Sequence, residues 1–290
     1  MAHDRTRTVS TPGPAGFDRL IPMYDWVQHA DGVYSKRYPY LQQQIGAVVC
    51  GDGVLLVDTR SHHGQADELA GDLRYITPHP VRWIVNTHHH WDHTFGNARF
   101  RPAPIWGHTR CAELLSLFPE RMRAEAKSYS PDLADRFDEV EIIPPDHTFD
   151  DSVNLAIAGR ELVLRHLGRA HTDNDIVVLV PDANVIFAGD LVEESGPPVY
   201  QDAYPLEWPD AVSTLLDLVT GPVVPGHGAM VDRDFVAAQQ RNLAETATLA
   251  VARHAQGMTV TEAAAAGGPF PGDTLQDAFR RAWPSLEMGT

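Results

Sequence analysis

Between Thr87 and Thr94 the chain reads Thr-His-His-His-Trp-Asp-His-Thr. This places four groups able to bind a metal ion, His88, His90, Asp92 and His93, within six residues. The stretch follows directly on an apolar run, 81–86, read as a strand. It therefore falls in a tight loop held by a sheet, where catalytic groups are commonly carried. Imidazole and carboxylate are the ligands suited to zinc, and also to iron or manganese. Three consecutive histidines alone are equally compatible with a polar surface loop, but three further positions argue against it. His171 follows an apolar run in Gly168-Arg-Ala-His171, Asp190 ends one in Ala188-Gly189-Asp190, and His227 ends one in Pro225-Gly226-His227. Each stands beside glycine at the predicted end of a strand, where the backbone can turn sharply toward a shared centre.

The elements that must position these groups follow from periodicity. Residues 45–58 predict a hairpin, two apolar runs around the Gly51-Asp52-Gly53 turn. Ala66, Leu69, Leu73 and Ile76 have helical spacing, and Pro78 and Pro80 end that helix. Further strands are expected at 161–167, 175–180, 184–188 and 222–224, with helices at 109–117, 131–140 and 209–219. Beyond Gly228 the chain turns helical, with Asp232 as N-cap of a helix over 235–254 and shorter helices at 261–266 and 274–283. Strands mixed with helices in both halves predict a layered α/β architecture. The expected organisation is a flexible tail over 1–15 and a single domain over 16–290, in which 231–290 forms a helical C-terminal extension.

The H-x-H-x-D-H motif of His88–His93, followed in order by His171, Gly189-Asp190 and Gly226-His227, resembles the pattern of the metallo-β-lactamase superfamily over roughly residues 25–230. The resemblance implies a four-layer αββα sandwich with the site along one edge of two face-to-face sheets. It implies that His88, His90 and His171 bind a first metal ion, that Asp92, His93 and His227 bind a second, and that Asp190 bridges them. Asp58 matches an upstream aspartate that orients the ligand loop, fixing tautomer and basicity from behind.

The implied chemistry is hydrolysis by two Zn2+ ions per chain, with Fe or Mn as alternatives. A water between two such ions becomes a hydroxide near neutral pH, and Asp92 orients it and carries a proton toward the leaving group. The expected substrate is a small acyl compound, an ester, thioester, lactone or amide. Many dedicated β-lactamases of the family place Cys at the bridging position, where this chain has Asp190, so β-lactam turnover is expected only as a side activity. An iron-dependent oxygenase of the persulfide dioxygenase type is the alternative, and a non-catalytic scaffold of the same fold comes third. Trp91, Tyr200, Tyr204 and Trp208 are candidates for the substrate pocket, and 118–139 for a lid. His62, His63, His89, His108 and His147 are read as surface or packing histidines. The charges of the C-terminal helices, Arg241, Arg253, Arg280 and Arg281 among acidic residues, are read as solvated faces.

Composition narrows the partners. A formal charge of −16, with Lys only at 36 and 127 and no clustered Arg, lacks the positive stripe that a nucleic-acid binder needs. No apolar run approaches the roughly 20 residues of a membrane span. Two scattered cysteines, Cys50 and Cys111, form no disulfide framework, so a reducing cytoplasm is expected. A small-molecule substrate is the expected partner, and a homo-oligomer stays open.

Overall fold

The computed structural model describes residues 25–288, and the tail expected over 1–15 lies outside the described residues. Mostly apolar runs build two sheets. The first runs β1 (Trp26–Ala30), β2 (Val33–Arg37), β3 (Gln44–Cys50), β4 (Gly53–Val57), β5 (Val81–Val85), β6 (Ile105–His108) and β7 (His147–Phe149), paired in that order. Its pairs are antiparallel up to β4 and parallel beyond it. The second sheet joins β8 (Ser152–Ile157), β9 (Arg160–His166), β10 (Ile176–Val180), β11 (Val185–Glu193) and β12 (Val223–His227), and only β11 and β12 run parallel.

The period of two sorts side chains to the faces. On β3 and β4, Val48, Leu55 and Val57 meet Val178 and Phe187 of the other sheet in the central core. Ala47, Val54 and Leu56 point the other way, onto α1 (His63–Asp72) through Ala66 and Leu69. Val177 and Ile186 likewise leave the central core to pack on α6 (Trp208–Leu218) and α7 (Arg233–Ala255). The result is helix, sheet, sheet, helix, the expected αββα sandwich.

One turn of helix, α2 (Trp91–Thr94), carries the ligand loop. Beside it α3 (Thr109–Leu117), α4 (Pro119–Tyr129) and α5 (Ala134–Asp138) close over Trp91 and Phe95. At the other end α8 (Val260–Ala265) and α9 (Gly272–Met288) pack on α7 through Ala250, Leu275 and Phe279. Asp232 caps α7 as expected, its Oδ1 accepting the Phe235 N–H at 2.9 Å.

Three expectations shift. The strand expected over 184–188 runs on to Glu193, so Asp190 lies inside β11, not at its end. Irregular pairing with β12 on both sides of Gly189 allows this, since it turns the strand without breaking it. Residues 118–139 contain α4 as well as the helix expected at 131–140, which is reduced to a 3-10 turn and α5. Strands β1, β2, β7 and β8 are short or amphipathic and carry no apolar run that marks them in the sequence.

Candidate metal centre

All seven expected ligands meet at one edge of the two sheets. His88 Nε2 and His171 Nε2 lie 2.9 and 3.0 Å from His90 Nδ1. On the other side His227 Nε2 lies 3.2 Å from Asp92 Oδ2 and 3.2 Å from His93 Nε2. Asp190 stands between, Oδ2 3.5 Å from His171 Nε2 and 3.3 Å from His227 Nε2, Oδ1 3.3 Å from His93 Nε2.

These separations fit cations. Nitrogens around a tetrahedral zinc at roughly 2.05 Å are spaced by about 3.3 Å. Asp190 Oδ1 is buried with no hydrogen-bond partner, a lone-pair site left open by the protein itself. Gly226 makes the approach possible: a Cβ there would stand 1.8 Å from Asp190 Oδ1. Gly189, at φ 52°, sits where a Cβ would meet the Thr87 side chain at 2.7 Å.

The loop is held from below. Asp58 Oδ1 accepts the Thr87 N–H, and Oδ2 accepts the Thr87 hydroxyl and His93 Nδ1–H, each at 2.8 Å. With its proton at Nδ1, His93 offers the Nε2 lone pair to the centre. Gln43 Nε2 donates to the Asp92 carbonyl, and the Leu41 carbonyl accepts His227 Nδ1–H at 2.9 Å. The β2–β3 loop thus sets both Asp92 and His227.

The electrostatics match a site built for positive charge. Burial lowers the pKa of His93 and His227, but Asp190 and Asp92 outweigh it and hold both well above the ordinary range. Burial raises Asp92 and Asp190, and the same histidines overcome it and hold both well below theirs. His88 is held well down by burial and by His93 and His90, which keeps it a neutral ligand. A dication held here would take the place of the protons on His93 and His227.

Two carboxylates escaped the sequence. Glu193, in β11, lies 3.2 Å from His171 Nδ1. Burial opposes a charge on His171, yet Glu193 and Asp190 lift its pKa to about 10. Asp202 accepts His90 Nε2–H at 3.1 Å and lies 3.3 Å from His89 Nε2. Glu193 stands three residues after Asp190, and Asp202 lies in the Pro-rich stretch 196–209 among the aromatic pocket candidates. Their acidity near a ligand strand was the one available signal.

A cavity of about 280 Å3 opens over the ligands, lined among others by Leu41, Trp91, Glu125, Tyr129 and Val199. Trp91 is both wall and core, its ring 5.3 Å from Phe137 and 5.8 Å from Tyr129. The other aromatic candidates do not reach the cavity. Tyr200 and Trp208 are buried against each other in the core beneath β11, and Trp208 lies edge-on to His171. Tyr204 has the guanidinium groups of Arg169 and Arg281 at 4.5 and 5.4 Å from its ring centroid. The segment 118–139, expected as a lid, contributes a wall of the cavity through Glu125 and Tyr129 of α4. His89, read as a packing histidine, is buried between Asn174 and Asp202.

Comparison with known proteins agrees with this fold. The family model described as Metallo-beta-lactamase superfamily matches residues 39–227. The chain is 30% identical over 89 residues to a metallo-beta-lactamase type 2 of Bacteroides fragilis, a match covering 29% of this chain and 36% of that protein. The chain thus spans about a third of that relative's length. Among solved structures, the metallo-beta-lactamase FIM-1 from Pseudomonas aeruginosa in its mono-zinc form is 21% identical, with 76% of this chain and 94% of that chain covered and a TM-score of 0.58. The sec-alkylsulfatase Pisa1 from Pseudomonas sp. is 15% identical over 89% of this chain and 50% of that one, with a TM-score of 0.76. At such identities these two likenesses speak for the fold alone.

Proposed function

The chain belongs to the metallo-β-lactamase superfamily, and from that premise we propose that it is a dinuclear zinc hydrolase acting on a small acyl substrate: an ester, thioester, lactone or amide. The observation that carries this reading is the convergence of five imidazole nitrogens and two carboxylates in two groups that share Asp190. The donors are nitrogen and oxygen without sulfur, a set suited to zinc.

Bound there, two zinc ions would supply Lewis acidity and a water acidic enough to lose its proton near neutral pH. His88, His90 and His171 would hold one ion, Asp92, His93 and His227 the other, with Asp190 shared. Asp92 lines the cavity, and its carboxylate is placed to take the proton of the attacking water and deliver it to the leaving group. Leu41, Trp91, Tyr129 and Val199 give an apolar wall for the acyl chain. Neither cysteine competes as nucleophile, since both are buried and burial raises their thiol pKa values. Two free, buried cysteines also suit a reducing cytoplasm. Penicillin-type lactams fit as slow side substrates, because the cavity lining carries Glu125 and Glu193 and, among the described residues, no lysine or arginine to hold their carboxylate.

Elemental analysis of protein purified without chelator, followed by a substrate panel on the same sample, tests this. Two zinc per chain and turnover of neutral esters or lactones is the expected result. One iron per chain with oxygen consumption would overturn it in favour of an oxygenase. Turnover of alkyl sulfates alone would keep the hydrolase and overturn the acyl substrate.

A further inference from the structure

We propose that the C-terminal helices are a positioning element of the metal centre, acting through Arg281 on the Asp202 loop and through Asp202 on His90. This rests on His90 being a metal ligand.

The chain of contacts is continuous. Arg281, on α9, donates from Nε to the Ala203 carbonyl at 2.7 Å and from Nη2 to the Asp202 carbonyl at 2.9 Å. Two parallel bonds from one planar guanidinium fix both position and orientation of that backbone, which a single ammonium does not. From the same loop, Asp202 reaches both histidines with one oxygen each, Oδ1 to His90 Nε2 and Oδ2 to His89 Nε2. Asn174 Nδ2–H closes the far side of His89 by donating to its Nδ1 at 2.9 Å.

This settles which nitrogen of His90 can bind a cation. A carboxylate only accepts, so the proton of His90 sits on Nε2, and Nδ1 keeps its lone pair. Nδ1 is the atom that faces His88 Nε2 and His171 Nε2. The same logic joins Asp58 to His93, but Asp58 belongs to the sandwich core, whereas Asp202 lies in a connection between β11 and α6. Such a connection has no ladder of its own to hold it.

Helix α9 can impose that position because its own is set elsewhere. Leu275, Ala278, Phe279 and Ala282 are fully or almost fully buried. Leu206, four residues past Asp202, packs into the same cluster. Arg280, one position before Arg281, pairs among the described residues with Asp277 of its own helix. The two neighbouring arginines therefore separate a positioning role from a general effect of charge on α9.

The test is metal affinity, read by competition with a chromophoric chelator and by the ligand-field spectrum of the Co2+-loaded full-length protein. Wild type should take up two equivalents. Asp202→Asn, close in shape but unable to accept from both rings, should weaken one equivalent by about 10–100-fold and change its spectrum, as loss of an outer-shell partner does. Arg281→Ala should weaken the same equivalent by a smaller factor, Arg281→Lys should rescue it only in part, and Arg280→Ala should leave both equivalents unchanged. In the double variant R281A/D202N the Arg281 effect should disappear, since it acts through Asp202. Thermal unfolding of each variant reports folding separately. Additive effects, equal weakening of both equivalents, or an unchanged D202N would overturn the proposal and leave the two-metal reading standing. A third equivalent lost in D202N would make Asp202 a ligand and overturn it as well. A wild type that binds no divalent metal would overturn both.

Discussion

Asp58 Oδ2 and His93 Nδ1 are joined at 2.8 Å with both side chains almost wholly shielded from solvent, and Asp58 makes that bond from a left-handed backbone, φ 66°. Aspartate and asparagine tolerate this conformation better than other side chains. The aspartate is thus required twice, for its conformation and for its charge.

Exchange of that charge separates the two. Asp58→Asn keeps the backbone but turns an N–H toward His93, which favours the tautomer without a free Nε2. Affinity on the Asp92, His93 and His227 side should fall about 10–100-fold. Asp58→Ala should in addition lower the stability of the metal-free protein by about 1–3 kcal/mol, because buried donors on Thr87 and His93 lose their acceptor. Metal titration and chemical denaturation of both variants measure this; equal behaviour of the two would contradict it.

Gly226→Ala should abolish the shared ligand while sparing the fold. The added methyl would overlap Asp190 Oδ1, so the carboxylate must move. Zinc content should drop below two per chain and hydrolysis by about 100-fold or more, which is roughly 2.7 kcal/mol of lost transition-state stabilisation. Far-ultraviolet circular dichroism should remain that of the parent. Full metal loading of the variant would argue against Asp190 as the bridge.

Chelation should remove activity and stability together. A ligand held only by the folded chain stabilises it by about 4 kcal/mol at a thousand times its dissociation constant. The unfolding temperature should therefore fall on dialysis against chelator and return with zinc. No shift in calorimetry would mean that the metal does not bind the folded state.

Charge selectivity should trace to α4. Glu125 lines the cavity and pairs with Arg121 at 2.9 Å. Glu125→Gln frees that guanidinium and removes a negative charge. The preference in kcat/KM for a neutral ester over its carboxylate-bearing analogue should narrow by about threefold, the scale of one partly exposed charge. A preference unmoved by the substitution would exclude Glu125 from selection.

A surface pair sets one limb of the pH dependence. Burial raises the Asp146 carboxyl, but Arg101, His147 and the Ile105 N–H outweigh it and bring its pKa to about 2, against an ordinary 3.8. A depressed carboxylate pKa stabilises the fold above the ordinary value, and that contribution is lost as pH falls through the folded one. Because the carboxylate is 39% exposed, solvent screening reduces it to about 0.5–1 kcal/mol. Asp146→Asn should be less stable than wild type by that amount near neutral pH, with the gap closing in acid. A gap independent of pH would assign it to packing.

The residues that converge at the candidate centre were legible because their signals are local. His88–His93 lie in one short run, and His171, Asp190 and His227 each follow an apolar run beside glycine, so type, neighbour and order suffice. The apolar runs of β3, β4 and β10 likewise mark strands of a layered α/β fold. What holds and surrounds the ligands is not local. Asp202 meets His90 across 112 positions and Arg281 meets the Asp202 backbone across 79, and neither pairing leaves a pattern in the chain. Tyr200 and Trp208, expected at the substrate pocket, are buried in the core instead. The sequence by itself determined which residues could hold a metal. Only the tertiary packing decided how those residues are oriented and what the cavity admits, because Asp58, the β2–β3 loop, the Asp202 connection and α4 reach that edge through contacts between segments that share no periodicity.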